Sequence, residues 1–483
     1  MRTLVAGVDC STQSTKVVVI DADSGEVVGL GQAGHSVSGT GGARETHPEV
    51  WWEALRSALD QTKVAAEVSA ISVAGQQHGL VCLDAAGVPV RPAMLWNDTR
   101  SASDAARLLE ALGGATTWAA RIGVVPVASF TATKWAWLRR REPQSVARTA
   151  AIRLPHDFLT ERLTGAGVTD RGDASGTAWW STETESYLSS VLDLPEIALA
   201  VELLPRVLWP DEPAGTVTQA AADATGLRAG IVVGPGTGDN MGAALGLGLA
   251  PGAPVLSLGT SGTVYMVSTT RTADPTGSVA GFADATGRFL PLAATLNCTL
   301  AVDRMAAWLG LSRDDVAPSD GVVVLPYFDG ERTPNLPGAA AAILGLRHET
   351  NPRSILMATY EGAVMGLLDA MQTIDASSSG VDPAAPLTLI GGGAKGATWQ
   401  QVARRLTGRA VRVPAAGEFV AIGAAAQGTA VLRGVTPESV AAGWRTDAGV
   451  LLEPMARDDD VIARHRAVRA LALDAVQSRP ANR

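Results

Sequence analysis

The sequence has little lysine. Of its 39 basic residues only Lys16, Lys63, Lys134 and Lys395 are lysines, and 48 acidic residues bring the formal net charge to -9. A protein whose main partner is nucleic acid usually carries a basic stripe or patch, because contacts with phosphates supply much of the affinity. The sequence shows no such stripe, so we predict that nucleic acid is not a partner of this protein.

Cysteine is also scarce, and no long apolar run occurs. Cys10, Cys82 and Cys298 lie far apart and form no CxxC pair, which argues against a zinc site and fits a reducing compartment. The sequence contains no stretch of 18 uninterrupted apolar residues, so it predicts no membrane span. Polar residues from Asp9 onward begin too early for a signal peptide. We therefore predict a cytoplasmic protein that has no membrane contact.

The alternation of apolar runs, turns and helical patterns predicts an α/β protein. Two short strands within 4–20 flank a polar turn, and Thr46 and Glu49 form a capping-box pattern before the first helix. The order of strand, turn and strand recurs over 254–267. Two halves that begin alike indicate a duplicated fold, and the proline- and glycine-rich segment 249–254 marks the boundary between them.

The first turn, residues 9–16, is dense in hydroxyl groups and begins with a carboxylate. Backbone N–H groups of a tight turn and side-chain hydroxyls can bind phosphate, Lys16 adds a positive charge, and Asp9 can hold Mg²⁺ through water. Aspartate, serine and threonine are equally common in ordinary hairpin turns. The segment Gly259–Gly262 offers similar groups, and two such hairpins that face each other can clamp a polyphosphate.

A second carboxylate, Asp239, lies near the end of the glycine loop 234–240, just before a helix. A catalytic base in phosphoryl transfer has to be a fixed carboxylate that approaches a substrate hydroxyl closely. An aspartate before a helix is also a common N-cap, and spacing alone favours the cap. Gln77 and His78 follow a buried strand and can bind a polyol, although a lone histidine in this position is more often structural.

The glycine run Gly391–Gly396 fits the GxGxxG pattern of dinucleotide-binding folds, with Glu418 roughly twenty residues further on. Too little chain follows the run to build the paired halves of such a fold, and a glycine turn against an adenosine explains it as well. No GxxxxGK[ST] loop occurs anywhere in the sequence, which excludes a P-loop kinase. Protein-kinase motifs are absent too.

Taken together, these segments resemble the FGGY carbohydrate kinases over nearly the whole chain and in the expected order. The segments that carry the resemblance are GVDCSTQSTK (7–16), SFTATKWAWLRRRE (129–142), LSLGTSGTV (256–264), AAILGLRHETNPRSILMATYEG (341–362), LIGGGAKGATWQQ (389–401) and AIGAAAQGTA (421–430). The resemblance implies a two-domain actin-like (ribonuclease H-like) ATPase fold with a catalytic cleft between the domains. We place a sugar-binding domain with the catalytic base at 1–248 and a nucleotide-binding domain with a C-terminal helix at 249–483.

The resemblance also implies roles for individual residues. Asp239 matches the catalytic base of the family, and Gln77, His78 and Asn240 match sugar-binding positions together with Asp239. The nucleotide-binding positions are matched by Thr12, Lys16, Gly259, Thr260, Gly393 and Ala394. The implied cofactors are ATP and Mg²⁺, with the metal held by Asp9 and Asp239.

Three further segments indicate the sugar. GQQHG (75–79), RPAMLWNDTR (91–100) and LPYFDGERTPN (325–335) resemble family members that phosphorylate D-xylulose. The resemblance thus implies ATP-dependent phosphorylation of D-xylulose at its C5 hydroxyl, giving D-xylulose 5-phosphate and ADP in pentose catabolism. Two alternatives stay open: a kinase for another ketose or polyol (ribulose, arabinitol, a deoxy sugar), and a non-catalytic actin-fold protein that binds nucleotide. The expected partners are the sugar and ATP, and the sequence leaves a homodimer open.

Overall fold

The computed structural model describes residues 2–415 and 417–477, and it contains two large sheets with helices packed around them. The strands are β1 (Leu4–Cys10), β2 (Ser14–Asp21), β3 (Val27–Gly34), β4 (Glu45–Thr46), β5 (Val68–Gly75), β6 (Val81–Leu83), β7 (Ala93–Met94), β8 (Ala151–Arg153), β9 (Val168–Asp170), β10 (Trp180–Ser181), β11 (Ser186–Tyr187), β12 (Arg206–Leu208), β13 (Gly215–Thr216), β14 (Val232–Val233), β15 (Thr237–Gly238), β16 (Val255–Leu258), β17 (Gly262–Tyr265), β18 (Ala280–Ala283), β19 (Phe289–Thr295), β20 (Val323–Leu325), β21 (Ala342–Leu344), β22 (Leu387–Ile390), β23 (Val411–Pro414) and β24 (Gly449–Leu452).

The helices surround these sheets and fill the long connections between strands. They are α1 (Glu49–Thr62), α2 (Ala102–Ala111), α3 (Ala115–Ile122), α4 (Thr131–Arg141), α5 (Pro143–Arg148), α6 (Pro155–Thr164), α7 (Arg171–Ser175), α8 (Ser189–Leu192), α9 (Gln219–Thr225), α10 (Asp239–Gly246), α11 (Thr299–Leu309), α12 (Pro352–Ser377), α13 (Ala397–Thr407), α14 (Phe419–Arg433), α15 (Pro437–Trp444) and α16 (Asp459–Gln477).

Both sheets are built on the same central pattern. In the first, with the order β13-β14-β5-β1-β2-β3 and β15 beside β5, β1 is antiparallel to β2 and parallel to β5. In the second, with the order β18-β19-β17-β16-β22-β23-β24, β16 is antiparallel to β17 and parallel to β22. The predicted α/β class and the duplicated strand-turn-strand opening are therefore confirmed.

The first helix illustrates where local pattern succeeds and fails. The predicted helix forms, and its inward face is apolar, with Trp51, Leu55 and Leu59 fully buried. The predicted capping box is wrong, because the helix begins at Glu49 with Pro48 as its N-cap and has no side-chain cap. The hydroxyl of Thr46 instead donates to the carbonyl oxygen of Ser36 at 3.0 Å. The Thr46 hydroxyl therefore binds a backbone carbonyl outside the helix, and it does not cap the helix as the sequence pattern predicted.

Helix α14 follows most of the second sheet in the chain but packs on the first sheet. It lies across β1 and β5, crosses α10, and contacts α15. Glycines bring the backbone of α14 into direct contact with the backbones of β1 and α10. A Cβ added to Gly7 would lie 1.8 Å from the carbonyl oxygen of Ala421, and one added to Gly423 would lie 2.0 Å from that of Gly242. The second half of the chain therefore completes the core of the first sheet.

We expect Gly7→Ala to destabilise the protein, because the added methyl group overlaps the Ala421 carbonyl oxygen on a buried strand. Extra methyl groups forced into a packed core cost about 1–3 kcal/mol, so the midpoint of urea unfolding should fall. Gly443→Ala is the control, since its Cβ meets nothing within 4 Å and alanine favours a helix by roughly 0.5–1 kcal/mol. Unfolding midpoints that are equal for Gly7→Ala and the wild type would contradict this packing.

Among residues 2–415 and 417–477, no single helix is long and apolar enough to cross a membrane. Helices α14 and α15 together meet the criterion of length and composition, but the pair is bent by 118°. Eleven of the fifteen residues of α14 are buried within the fold described above.

Candidate active site

The hairpin of β1 and β2 places three predicted site residues, Asp9, Thr12 and Lys16, at one end of the first sheet. The hydroxyl of Ser11 donates to Oδ1 of Asp9 at 2.6 Å, and the indole N–H of Trp96 donates to the hydroxyl of Thr12 at 3.0 Å. Burial raises the pKa of Asp9 to about 6, although the Ser11 bond and the charge of Lys16 lower it. The turn is therefore a fixed group of oxygen and N–H functions beside a carboxylate.

Asp239 reaches the same end of the sheet from β15. Gly238 pairs with Gly75 of β5, and the backbone N–H of Gln76, just beyond β5, donates to the carbonyl oxygen of Cys10 at 2.9 Å. Since β1, β5 and β15 are parallel, the residues that follow them converge at their carboxyl ends. This is the edge of an α/β sheet at which ligands characteristically bind.

Asp239 is the first residue of α10, and the expectation from spacing that it serves as the N-cap is wrong. The N-cap is Gly238, and no side chain caps the helix. Oδ1 of Asp239 instead accepts from the backbone N–H and the side-chain amide of Asn240, each at 2.8 Å. Burial, together with repulsion from Asp9 and Asp173, raises the pKa of Asp239 to about 7. A carboxylate with a pKa near neutrality is well suited to accept a proton at neutral pH.

The predicted sugar-binding residues are brought together around Asp239. The side-chain amide of Asn240 donates to Oε1 of Gln77 at 3.0 Å. Within the described part of the chain, Nε2 of Gln77 and Oε1 of Gln76 are buried and lack a hydrogen-bond partner. Buried polar groups are rarely left unpaired in folded proteins, so these atoms are available to the hydroxyl groups of a ligand.

His78 forms one wall of this region. Its backbone adopts a positive φ of 67°, and Nδ1 lies 2.7 Å from the carbonyl oxygen of Gly176. Burial and the charges of Lys134 and Arg332 lower the pKa of His78 to about 3, so the ring is neutral and Nδ1 is the donor to Gly176. This tautomer leaves Nε2 as an acceptor that can receive a sugar hydroxyl.

The nucleotide positions predicted in the second half also lie together. The backbone N–H of Gly393 donates to the carbonyl oxygen of Leu258 at 2.9 Å, one residue before Gly259. Ala394 is buried, and its carbonyl oxygen accepts from the side-chain amide of Gln400 at 2.8 Å. Thr260, in the turn that follows Gly259, is exposed. The glycine turn at the end of β22 thus contacts the end of β16, from which the second hairpin turn begins.

Contacts between the halves connect the two groups of residues. Nζ of Lys16 lies 2.8 Å from a carboxylate oxygen of Glu418, which is the N-cap of α14. The ring of Phe282, in β18, lies 5.5 Å from that of His78. Burial and the charge of Asp239 raise the pKa of Tyr265, in β17, well above its ordinary value. The candidate site is therefore lined by both halves of the chain.

Two carboxylates in this site have the chemistry that a magnesium ion prefers, which is oxygen. Within the described residues, Oδ2 of Asp9 and Oδ2 of Asp239 accept no hydrogen bond, since Oδ1 receives every donor at each. The same part of the chain contains no cluster of three or more histidine, cysteine, aspartate or glutamate residues that could hold a metal ion. An ion held here would complete its shell with phosphate oxygens and water, as Mg²⁺ commonly does.

Family models match both halves of the chain. The N-terminal domain of the FGGY family of carbohydrate kinases matches residues 4–246, and the C-terminal domain of that family matches residues 255–431. The chain belongs to the FGGY family of carbohydrate kinases. As a member, it is an enzyme that uses ATP to phosphorylate a carbohydrate, and the family predicted from the sequence is confirmed.

Two curated relatives align with this FGGY kinase over nearly its full length. A xylulose kinase of Streptomyces rubiginosus is 57% identical over 462 residues, which cover 95% of each chain. A xylulose kinase of Streptomyces coelicolor is 56% identical over 484 residues, which cover 99% of this chain and 98% of the relative.

Solved structures confirm the fold of this FGGY kinase. The crystal structure of xylulose kinase from Bifidobacterium adolescentis is 38% identical, with a TM-score of 0.85 and coverage of 97% of this chain and 99% of that one. A glycerol kinase of Plasmodium falciparum has the same TM-score, 0.85, at 18% identity, and shows the fold alone. The two-domain actin-like α/β class predicted from the sequence is therefore confirmed.

One group of residues next to the FGGY kinase site could not be found from sequence reasoning. His156 is fully buried among three aspartates: Nδ1 lies 2.8 Å from Asp173, and Nε2 lies 3.2 Å from Asp157 and 3.8 Å from Asp170. Burial opposes a charge on this ring, but the three carboxylates outweigh it and raise the pKa of His156 to about 9. We name these four residues the His156 cluster.

The His156 cluster supports the strand that leads to Asp239. The hydroxyl of Thr237, two residues earlier, donates to Oδ2 of Asp170 at 3.0 Å. Asp170 also caps α7 through the backbone N–H groups of Gly172 and Asp173. The four residues belong to α6, β9 and α7. No spacing rule predicts that these elements meet beside the strand that leads to Asp239.

Proposed function

We propose that this FGGY kinase transfers the γ-phosphoryl group of ATP to the C5 hydroxyl of D-xylulose, giving D-xylulose 5-phosphate and ADP. The observation that carries the proposal is the hydrogen-bonded set of Asp239, Asn240 and Gln77 beside neutral His78. Buried polar atoms of Gln76 and Gln77 have no hydrogen-bond partner among the residues that the structure describes. The two relatives named xylulose kinase, at 57% and 56% identity, support the choice of sugar.

In this proposal Asp239 is the general base. Its side chain is held by Asn240, and its raised pKa makes it a competent proton acceptor near neutral pH. Gln77, His78 and Asn240 hold the sugar so that the C5 hydroxyl points at Asp239. The hydroxyl proton passes to Asp239 while the oxygen attacks phosphorus in line with the departing ADP, as phosphoryl transfer requires.

The nucleotide would lie mainly against the second half of the chain. Gly393 and Ala394 would flank the adenosine, Gly259 and Thr260 would bind phosphate oxygens, and the N–H groups of the first turn, with Thr12 and Lys16, would bind them from the opposite side. Magnesium bound near Asp9 and Asp239 would neutralise charge on the phosphates. Lys16 would have to exchange its partner Glu418 for the phosphates as ATP binds.

We also propose that the chain divides functionally at 248/249. Residues 1–248 would form the sugar-binding domain with the base, and 249–483 the nucleotide-binding domain. This boundary separates the two functions along the sequence. It does not separate the hydrophobic cores, because α14 of the second part packs on the first sheet.

The substrate is tested by ADP release in a coupled assay with Mg-ATP and a panel of sugars. The panel contains D-xylulose, D- and L-ribulose, D-arabinitol, glycerol and a blank without sugar. We expect fast turnover with D-xylulose and little with the other members. Preference for another ketose or polyol would keep the family and the mechanism but reject the proposed sugar. Absence of turnover throughout the panel, with ATP still bound, would favour a non-catalytic nucleotide-binding protein.

A further inference from the structure

Arg332 lies in the connection between β20 and β21, between two buried residues. Glu331 is 3% exposed and Thr333 is 4% exposed. The carboxylate of Glu331 accepts from the backbone N–H of Leu296 and, at 3.0 Å, from the side-chain amide of Asn297. These bonds fix the backbone at Arg332, so its long side chain projects from a rigid base.

The short segment 296–299, whose first two residues bind Glu331, also holds the second hairpin turn through its last two residues. The backbone N–H of Thr299 donates to the carbonyl oxygen of Gly259 at 3.0 Å, and that of Cys298 donates to Thr260 at 3.3 Å. Gly259 and Thr260 are the residues proposed to bind phosphate oxygens. Arg332 is therefore held in a constant position relative to the phosphate-binding turn.

The guanidinium of Arg332 has no partner among the residues that the structure describes. It forms no ion pair there, and burial alone lowers its pKa, with no carboxylate opposing the shift. An arginine keeps its charge in such surroundings, because its ordinary pKa lies above 12. A poorly hydrated, unpaired cation is unfavourable unless an anion pairs with it. The guanidinium of Arg332 is thus available to bind an anionic ligand.

The charge of Arg332 also reaches the sugar-binding residues of the first half. Together with burial and Lys134 it lowers the pKa of His78, whose ring packs against Phe282 of β18. Lys134 is fully buried and is bound to the backbone carbonyl of Ala128 at 3.3 Å, so it cannot reach a ligand. Arg332 is only partly buried, so its side chain remains accessible to a ligand.

We propose that the guanidinium of Arg332 binds the phosphoryl group while that group passes from ATP to the sugar. The inference rests on the proposed function and assigns a residue of the second half to the transfer step. In that step the bond between the γ-phosphorus and the bridging oxygen of ADP breaks, a bond to the sugar oxygen forms, and the hydroxyl proton goes to Asp239. Arg332 takes part in no covalent change; its N–H groups donate to the oxygens of the transferring group.

Steady-state kinetics of Arg332→Gln, with the sugar that the wild type converts fastest, test the proposal. We expect kcat to fall by about 10- to 100-fold, because a charge-assisted hydrogen bond to the transferring group is lost. The KM values of sugar and ATP should change far less, since the contact belongs to the transfer step. Arg332→Lys should restore part of kcat, because it returns the charge but lacks the planar fork.

Arg347→Gln is the matched control, because this nearby arginine is exposed and pairs with no carboxylate in the described chain. Its kcat should equal that of the wild type, and melting curves should show all three variants folded. An unchanged kcat in Arg332→Gln, or a rise in sugar KM alone, would overturn the proposal and leave Arg332 a sugar contact at most. A wild type that prefers another sugar would reject D-xylulose while the comparison of variants still decides Arg332. No turnover with any sugar would overturn both.

Discussion

Asp239→Asn should lower kcat by about 10²- to 10⁴-fold, the usual contribution of a general base, with a much smaller change in the KM of the sugar. Asparagine has nearly the same shape, and its amide oxygen can still accept the two bonds from Asn240 that hold Asp239 now. It cannot take the hydroxyl proton, however. The loss should therefore fall on the chemical step, and initial rates with Mg-ATP and D-xylulose measure it.

The control is Asp211→Asn, which removes a carboxylate from an exposed turn of the same half of the chain. Its kcat should match that of the wild type. Burial and repulsion by Asp9 and Asp173 raise the pKa of Asp239, so removing its charge should leave the protein folded. A variant that is folded, binds sugar and keeps a wild-type kcat would show that Asp239 is not the base.

His156→Gln should lower the free energy of unfolding by about 3–5 kcal/mol near pH 6, which is the usual effect of removing one partner of a buried ion pair. The substitution leaves Asp157, Asp170 and Asp173 buried without the cation that neutralises them. Urea unfolding of the variant and the wild type measures the loss. Because Thr237 is bonded to Asp170, kcat should fall as well, through displacement of Asp239.

The pH dependence of the stability loss in His156→Gln tests whether the positive charge of His156 causes that loss. The pKa of His156 is raised in the folded protein to about 9, above its ordinary value near 6.5. Its stabilising contribution is therefore complete below pH 6.5 and is lost as the pH rises through 9. The difference between His156→Gln and the wild type should be largest near pH 6 and should shrink by pH 9.5.

His465 provides the matched control for this prediction. It is also a buried histidine, but burial and nearby arginines lower its pKa to about 4, so it is neutral throughout this range. The effect of His465→Gln on unfolding should therefore be constant above about pH 7.5. Near pH 6 it should change only slightly, and in the opposite direction to that of His156→Gln, because the unfolded histidine takes up a proton that the folded one does not. A stability loss in His156→Gln that is constant from pH 6 to 9.5 would show that packing, and not charge, explains the role of the His156 cluster.

Features that depend on neighbouring residues were predictable from the sequence. The apolar runs that form β1, β16 and β22 are bounded by glycines and turn residues. The polar turn after β1 is predictable as well, because it is the short polar segment between two apolar runs. The parallel neighbours of these strands then bring Asp9 and Asp239 to one edge. Local pattern and general rules of α/β sheets are sufficient for that much of the site.

Features that join distant parts of the chain were not predictable in this way. Lys16 and Glu418 are 402 positions apart, and nothing in either segment identifies the other. The capping box failed because Ser36 offers the Thr46 hydroxyl a tertiary acceptor. The His156 cluster and the position of Arg332 likewise depend on how loops from different elements pack. Such groups can be identified only in the folded structure, because the sequence gives the side chains but not the residues that they contact.

The contact between α14 and the first sheet has a mechanical consequence for the cleft. At Gly7 and Gly423 the backbones touch with no side chain between them, so neither surface can slide without a collision. A change in the angle between the halves would have to leave this contact intact. Helix α14 would therefore move together with the first sheet, although it comes after most strands of the second sheet in the sequence.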